Sequence, residues 1–257
     1  MFLSIVIPAY NEEQRLGDSL SQIEKFLAAK DFESEVLIVN DGSQDRTTKV
    51  ASDYIAQYKQ NGITLRVIEN PGNRGKGYSV RNGMLNTQGE IALFTDADLS
   101  APITEADRLI APIVAGEYDV VFGSRALAES FISTHQSTLR EVAGRTFNLL
   151  MHTITGLDFK DTQCGFKAFR MPDARGVFER QRIQGFGFDV EVLYIAKKHG
   201  LRLLELPVVW GHMEGSRVNF LNGLLAFSDL LTIRWNDICR RYTPLPVASK
   251  ADAVTMP

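Results

Sequence analysis

Ile91-Ala92-Leu93-Phe94-Thr95-Asp96-Ala97-Asp98 decides the fold. Four consecutive apolar residues read as a strand buried on both faces, the kind that a parallel sheet covered by helices requires. The run ends in two carboxylates at i and i+2, where the strand reaches the edge of its sheet. Two anions so close cost free energy unless a cation lies between them. A hard divalent ion held by one or two carboxylates keeps positions open for substrate phosphates. The spacing points to a metal–diphosphate site at the carboxyl edge of an α/β sheet. The plainer alternative is an Asp that caps the next helix beside a solvated neighbour.

Outward from this strand the same grammar repeats. Leu3–Ile7 is a buried strand closed by Pro8, and Asn11 is placed to cap a helix from about Glu12 to Ala29. Val36–Val39 is a second buried strand, followed by helix signals from Asp45 to about Lys59. Thr64–Ile68 is a third strand, and a helix from about Tyr78 to Asn86 leads into Ile91. A helix over Ile103–Ala115 and a strand over Asp119–Phe122 follow. Strand alternating with helix predicts an α/β, doubly wound, mostly parallel sheet flanked by helices. Such sheets bind ligands beyond the carboxyl ends of their strands, where Asp41 and the Asp96/Asp98 pair both fall.

The second half is less regular. Helices are expected over Leu139–Thr155 and Asp189–His199, a short strand over Cys164–Phe169, and an edge strand or irregular run from Arg202 to Trp210 around Pro207. Phe220 to about Ile238 reads as an amphipathic helix carrying Leu221, Leu224, Leu225, Leu231 and Trp235, with Arg234, Arg240 and Arg241 near its end. Such a helix packs on its own domain or lies in a membrane interface. The organisation expected is one domain over residues 1–218, with a first half to about 125 and a second over 126–218. A helical extension over 219–242 and a disordered tail over 243–257 complete it.

At 257 residues the chain can hold one large α/β domain. A net charge of −3 provides no basic field for nucleic acid. Cys164 and Cys239 lack metal-ligand spacing and suggest free thiols in a reducing compartment. Phe2–Ile7 is too short for a signal h-region, and no run of about 18 apolar residues occurs, so any membrane role is expected to be peripheral. Gly72-Asn73-Arg74-Gly75-Lys76-Gly77 fails both common phosphate-loop patterns, yet a loop entering a helix can still present Arg74 and Lys76 to an anion. His135, His152, His199 and His212 have no ligand spacing and read as structural or surface residues.

Several motifs occur in order: Pro8-Ala9-Tyr10-Asn11-Glu12, Asn40-Asp41-Gly42-Ser43, Asn73-Arg74-Gly75-Lys76-Gly77, Asp96-Ala97-Asp98, Gly123-Ser124-Arg125, Asp161-Thr162-Gln163-Cys164-Gly165-Phe166-Lys167, Phe188-Asp189-Val190-Glu191 and Glu214-Gly215-Ser216-Arg217. The series resembles the family-2 inverting glycosyltransferases of GT-A fold. More narrowly it is similar to the dolichyl-phosphate β-glucosyltransferase group, relatives of dolichol-phosphate mannose synthase. The resemblance implies that Pro8, Tyr10, Glu12, Asp41, Lys76 and Arg217 bind the donor, with Asp41 on the base and Arg217 near the leaving diphosphate. Asp96 and Asp98 would hold Mg²⁺ or Mn²⁺ against that diphosphate. Arg125, with Arg140 or Arg145, would meet the acceptor phosphate and the sugar, and Asp161 and Gln163 would line the acceptor side. Two departures stand out: Asn40 replaces the first of two usual acids, and Ser100 stands where mannose synthase relatives often carry Gln.

The resemblance implies a UDP-glucose donor and a polyprenyl phosphate acceptor, used at the cytoplasmic face of a membrane. A phosphate monoester is already largely ionised at pH 7, so no strong base is required. A sugar hydroxyl acceptor would need a carboxylate base, for which Asp161, Asp189 and Glu191 are the candidates. A non-catalytic nucleotide-sugar-binding subunit is the reading from another class; it would not need the metal pair.

Overall fold

The computed structural model describes residues 1–127, 130–132, 150–211 and 220–243. Its strands are β1 (Leu3–Ala9), β2 (Ser34–Asn40), β3 (Thr64–Glu69), β4 (Ile91–Thr95), β5 (Val120–Ser124), β6 (Phe131–Ile132), β7 (Phe166–Arg170), β8 (Leu203–Pro207) and β9 (Val209–Trp210). Seven of them form one sheet in the order β3-β2-β1-β4-β7-β5-β8. β1, β2, β3 and β4 pair in parallel, as do β5 and β8, and β7 alone runs antiparallel to both neighbours. β6 and β9 form a separate two-stranded ribbon. β7 comes from the second half of the chain yet sits between β4 and β5, so both halves share one sheet.

The strands are apolar without interruption because both sheet faces are covered. Leu3, Ile5 and Ile7 of β1 face one layer, with α1 (Leu16–Ala28), α2 (Thr47–Asp53), α3 (Ile55–Gln60) and α5 (Ala106–Val114). Val6 of β1, Val39 of β2 and Phe94 of β4 face the other. That layer contains α4 (Lys76–Leu85), α6 (described over 150–155), α7 (Met171–Arg180), α8 (Phe188–Lys198) and α9 (Phe220–Ile238). Phe94 lies between the rings of Phe169 and Phe188, so truncating it to Ala should cost about 3–5 kcal/mol.

The chain winds outward from β1 to β3 on one side and crosses to β4 on the other. A crevice opens at such a reversal, beyond the carboxyl ends of β1 and β4.

Several local expectations change. Asn11 does not cap α1: it adopts φ 56°, its side chain accepts from Gln44 N, and the helix begins at Leu16. Residues 11–13 instead donate their backbone N–H groups to Ser43 Oγ, Thr47 Oγ1 and Asp45 Oδ2, which satisfies the turn without a helix. The expected helix over 45–59 divides at Tyr54, whose ring packs edge-on against Tyr58. α7 was not expected, although Pro172 in its first turn is a helix-start signal. Of the apolar residues expected on α9, Leu231 and Trp235 are exposed, and the helix packs on its own domain through Leu230 and Ile233, which are buried. The side chains of Leu221, Leu224 and Leu225, the first part of the helix expected from Leu139, and the expected tail beyond 243 lie outside the described residues.

Candidate active site

Asp96 follows β4 directly, at the crevice. Its Oδ1 lies 2.5 Å from Lys76 Nζ, which enters from the first residue of α4. A Cβ at Gly165 would overlap the Asp96 carboxylate, so any larger residue there would displace it. Asp98 Oδ1 accepts hydrogen bonds from Ser100 N (3.0 Å) and Ser100 Oγ (2.9 Å), and its Oδ2 faces Arg15 Nη1 at 3.7 Å. Leu99 between them takes φ 48°, a left-handed conformation that leucine rarely adopts. Arg15 also pairs with Glu12 at 2.6 Å, joining the loop after β1 to the loop after β4.

Lys76 stands amid carboxylates. Burial works against its charge, but Asp96, Asp189 and Asp98 outweigh that and keep its pKa above the ordinary lysine value. Asp189, in the first turn of α8, is 3% exposed and ion-paired with Lys167. Burial pushes the Asp189 carboxyl upward, against the opposing pull of Lys167 and Lys76. Lys167 is wholly buried, donates to Cys164 O at 2.7 Å and lies 5.2 Å above the Phe94 ring.

Arg125 follows β5 on the same edge. Its Nε and Nη2 donate to Asp161 Oδ2 and Oδ1 at 2.6 and 2.9 Å, a two-pronged pair, and its backbone N–H donates to Oδ2 at 2.9 Å. The guanidinium also lies 5.7 Å from the Trp210 ring centroid. Burial alone would raise the Asp161 pKa, yet the Arg125 guanidinium holds the carboxyl below its usual range. Gln163 donates its backbone N–H to Asp161 Oδ1 at 3.1 Å.

Asp41, at the end of β2, is 4% exposed and organises the loop after β3. Its carboxylate accepts from Asn70 Nδ2 (2.8 Å), Arg74 N (2.9 Å) and Gly75 N (2.8 Å). Glu191 faces away from the crevice. It is fully buried and accepts from Arg182 N, from Ile183 N at 2.8 Å and from the Tyr242 hydroxyl at 2.5 Å. Those contacts make Glu191 a packing anchor, whereas Asp189 adjoins Lys76.

The fold thus brings Lys76, Asp96, Asp98, Asp189, Asp161 and Arg125 to one edge, with carboxylates and cations interleaved. Pro8 lies near the end of β1, and Tyr10 and Glu12 lie in the loop that follows it at the same edge. Arg140, Arg145, Arg217, His135 and His212 lie outside the described residues. Arg15, Lys167 and Trp210 were not singled out from the sequence. For Lys167 the signal was present: a lysine between Phe166 and Ala168 in a strand is buried, and a buried cation needs a partner. Asp96 and Asp98 provide hard oxygen donors, the ligand type Mg²⁺ and Mn²⁺ take together with substrate phosphates. No group of three or more His, Cys, Asp or Glu able to hold a metal occurs among the described residues, so phosphate oxygens and water would complete the shell.

The model of glycosyl transferase family 2 matches residues 4–178. The chain is 37% identical over 242 residues to the dolichyl-phosphate beta-glucosyltransferase of Drosophila melanogaster, covering 90% of this chain and 74% of that protein. It is 34% identical over 245 residues to the protein of the same name from Dictyostelium discoideum, covering 91% and 74%. Among solved structures it is similar to glucosyl-3-phosphoglycerate synthase from Mycobacterium tuberculosis in complex with Mn²⁺, UDP-glucose and phosphoglyceric acid. There the TM-score is 0.63 at 18% identity, covering 96% of this chain and 81% of that one. Mannosyl-3-phosphoglycerate synthase from Rubrobacter xylanophilus gives a TM-score of 0.66 at 18% identity, with 98% and 80% covered.

Proposed function

The chain belongs to glycosyl transferase family 2 and is a hexosyltransferase of GT-A fold, and from that premise we propose that it moves glucose from UDP-glucose to a dolichyl-type polyprenyl phosphate with inversion. The observation that carries this reading is the interleaved charge at the carboxyl edge, where the Asp96/Asp98 pair stands beside Lys76 and the Arg125–Asp161 pair completes the row. The shared name of the curated relatives supports the lipid phosphate and the glucose. The neighbour complexed with Mn²⁺ and UDP-glucose supports the donor and a divalent ion.

Asp96 and Asp98 would hold the ion, and when bound it would supply positive charge to the departing diphosphate. Lys76, kept protonated by its three carboxylate neighbours, adds positive charge on the same side. Arg125 is oriented by Asp161 and Trp210 and offers the acceptor phosphate a fixed cation. One acceptor phosphate oxygen attacks the anomeric carbon from the face opposite the diphosphate. The new C–O bond forms as the bond to the diphosphate breaks, giving a β-linked product and UDP. The attacking oxygen is already ionised, so no side chain takes a proton.

A hydroxyl acceptor is the second reading, favoured by one observation: burial raises the pKa of Asp189, the direction a general base requires. The ion pair with Lys167 opposes it.

The test is transfer of label from UDP-glucose, UDP-galactose and GDP-mannose into organic-extractable lipid, with polyprenyl phosphate and Mg²⁺ or Mn²⁺. Lipid label from UDP-glucose is expected. Label from GDP-mannose alone overturns the sugar, and donor turnover without lipid label overturns the acceptor.

A further inference from the structure

α9 presents an apolar surface that no described residue covers. Leu231, Trp235 and Ile238 are 64%, 62% and 68% exposed. Their spacing of four and three places them on one helix face. The other exposed large apolar residues described, Ile55, Val114, Leu150 and Val209, belong to separate elements. Single exposed apolar residues are ordinary, whereas three on one face mark an interaction surface.

Charge identifies the partner. Arg234 on the helix and Arg240 and Arg241 just past its end are exposed; Arg234 donates to the Tyr194 hydroxyl at 3.1 Å and Arg241 to Asn236 Oδ1 at 2.8 Å. The nearby carboxylate, Asp237, is largely buried and pairs with Lys198 at 2.5 Å, with Arg234 at 3.7 Å and with the Tyr194 hydroxyl at 2.7 Å. One carboxylate thus stands against Lys198 and three arginines, so this end of the helix is positive although the chain carries a net charge of −3. A second copy meeting this face about a two-fold axis would bring two sets of arginines together, which electrostatics disfavours. An anionic bilayer meets both halves of the surface: aliphatic side chains and the Trp ring enter the acyl boundary, and the guanidinium groups meet lipid phosphates. No helix among the described residues is long and apolar enough to cross a membrane, so α9 would lie in the plane of the interface.

We propose that the Leu231–Trp235–Ile238 face of α9, with Arg234, Arg240 and Arg241, docks this protein on anionic lipid bilayers. A lipid-phosphate acceptor accords with this docking, but the docking does not depend on it. On the inner side Asp229 of α9 accepts from Gly187 N at 3.1 Å, immediately before α8 and Asp189. Docking through α9 would thus hold the acceptor side of the crevice close to the bilayer.

The experiment is flotation of the full chain with phosphatidylcholine vesicles and with vesicles that also contain phosphatidylserine. Partition into the anionic vesicles is expected. Trp235→Ser should weaken it about tenfold or more, and each of Arg240→Ala and Arg241→Ala roughly fivefold. These side chains are exposed, so the fold should survive; an unchanged melting temperature checks it. Absence of flotation, equal flotation with neutral vesicles, or flotation insensitive to Trp235→Ser overturns the proposal. A soluble dimer that Trp235→Ser dissociates overturns it in favour of a second copy, and release of the surface only on removal of residues 244–257 overturns it in favour of that segment. Transfer to a detergent-dispersed acceptor separates the two proposals. Flotation lost with transfer intact sinks docking alone, and the reverse sinks the proposed function alone.

Discussion

Lys76 Nζ lies 2.5 Å from Asp96 Oδ1, tying the first residue of α4 to the carboxyl end of β4. The contact places a cation beside the carboxylate pair proposed to hold the metal. The same ammonium is close enough to Asp189 and Asp98 for all three acids to stabilise its charge. Lys76→Met keeps the aliphatic stem and removes the charge. It should lower kcat for glucosyl transfer by about 10²-fold, the scale of losing one preorganised stabiliser of developing charge. Steady-state kinetics with UDP-glucose reads this directly, and an unchanged kcat would remove Lys76 from the machinery.

Arg125 and Asp161 act as a unit. Because Nε and Nη2 are both engaged, a lysine at 125 cannot reproduce the fork. Arg125→Ala should reduce transfer to polyprenyl phosphate about 10²-fold or more, and Arg125→Lys should recover little of it. Asp161→Asn keeps the shape but frees the guanidinium, so it should raise the acceptor KM more than it lowers kcat. Wild-type turnover in Arg125→Ala would rule out the phosphate-docking role.

The first half of the architecture was legible because strands covered on both faces are apolar runs with polar ends. Val36–Val39 and Ile91–Phe94 announce both their burial and the sheet edge that follows. The place of β7 was not legible, since its insertion between β4 and β5 depends on pairings such as Phe94 with Lys167, far apart in the chain. The break at Tyr54 and the late start of α1 arise from contacts between loops 11–13 and 43–47, which no helical periodicity encodes. The place of Asp96 and Asp98 just past the end of β4 was readable from the apolar run before them. Lys76 was readable only as a lysine entering a helix, because its partner stands 20 residues away on another element.

Asp119, at the entrance to β5, tests the electrostatics away from the crevice. Its carboxylate accepts from Arg170 Nη2 at 2.6 Å and from Arg202 Nη2, Nε and backbone N at 2.9, 3.0 and 2.9 Å. The hydrogen bonds from Arg202, with the charges of Arg202 and Arg170, outweigh burial and lower its pKa from 3.8 to about 2. A depressed folded-state pKa means the unfolded chain binds the proton more readily. The stabilisation is therefore complete above about pH 4 and disappears as pH falls toward 2. After allowance for solvent screening it is about 1–2 kcal/mol. Asp119→Asn should lose that much in urea unfolding at pH 7, with the difference closing near pH 2. A pH-independent difference would mean the loss is one of packing.

Tyr242 and Glu191 connect the end of α9 to the crevice through buried hydrogen bonds. The Tyr242 hydroxyl donates to Glu191 Oε1 and accepts from Asn236 Nδ2 at 3.0 Å. Glu191 holds the backbone of Arg182 and Ile183. On either side of that pair, Gln181 Nε2 donates to Gly77 O at 2.8 Å and Gln184 O accepts from Tyr78 N at 3.2 Å, which fixes the start of α4 and hence Lys76. Burial raises the Glu191 pKa, and the Tyr242 hydroxyl works against that rise. Tyr242→Phe should therefore destabilise the fold by about 1–3 kcal/mol at pH 7. A raised folded-state pKa makes the carboxylate a cost above its unfolded value, so the loss should shrink as pH falls through the folded-state pKa and Glu191 takes up its proton. Because this chain of hydrogen bonds reaches the start of α4, kcat/KM for UDP-glucose should also fall, by roughly 2- to 30-fold. Urea unfolding across pH, paired with kinetics at a temperature where the variant is fully folded, separates the two effects. A stability loss with unaltered kcat/KM would show that the anchor ends at Ile183 and does not extend to α4.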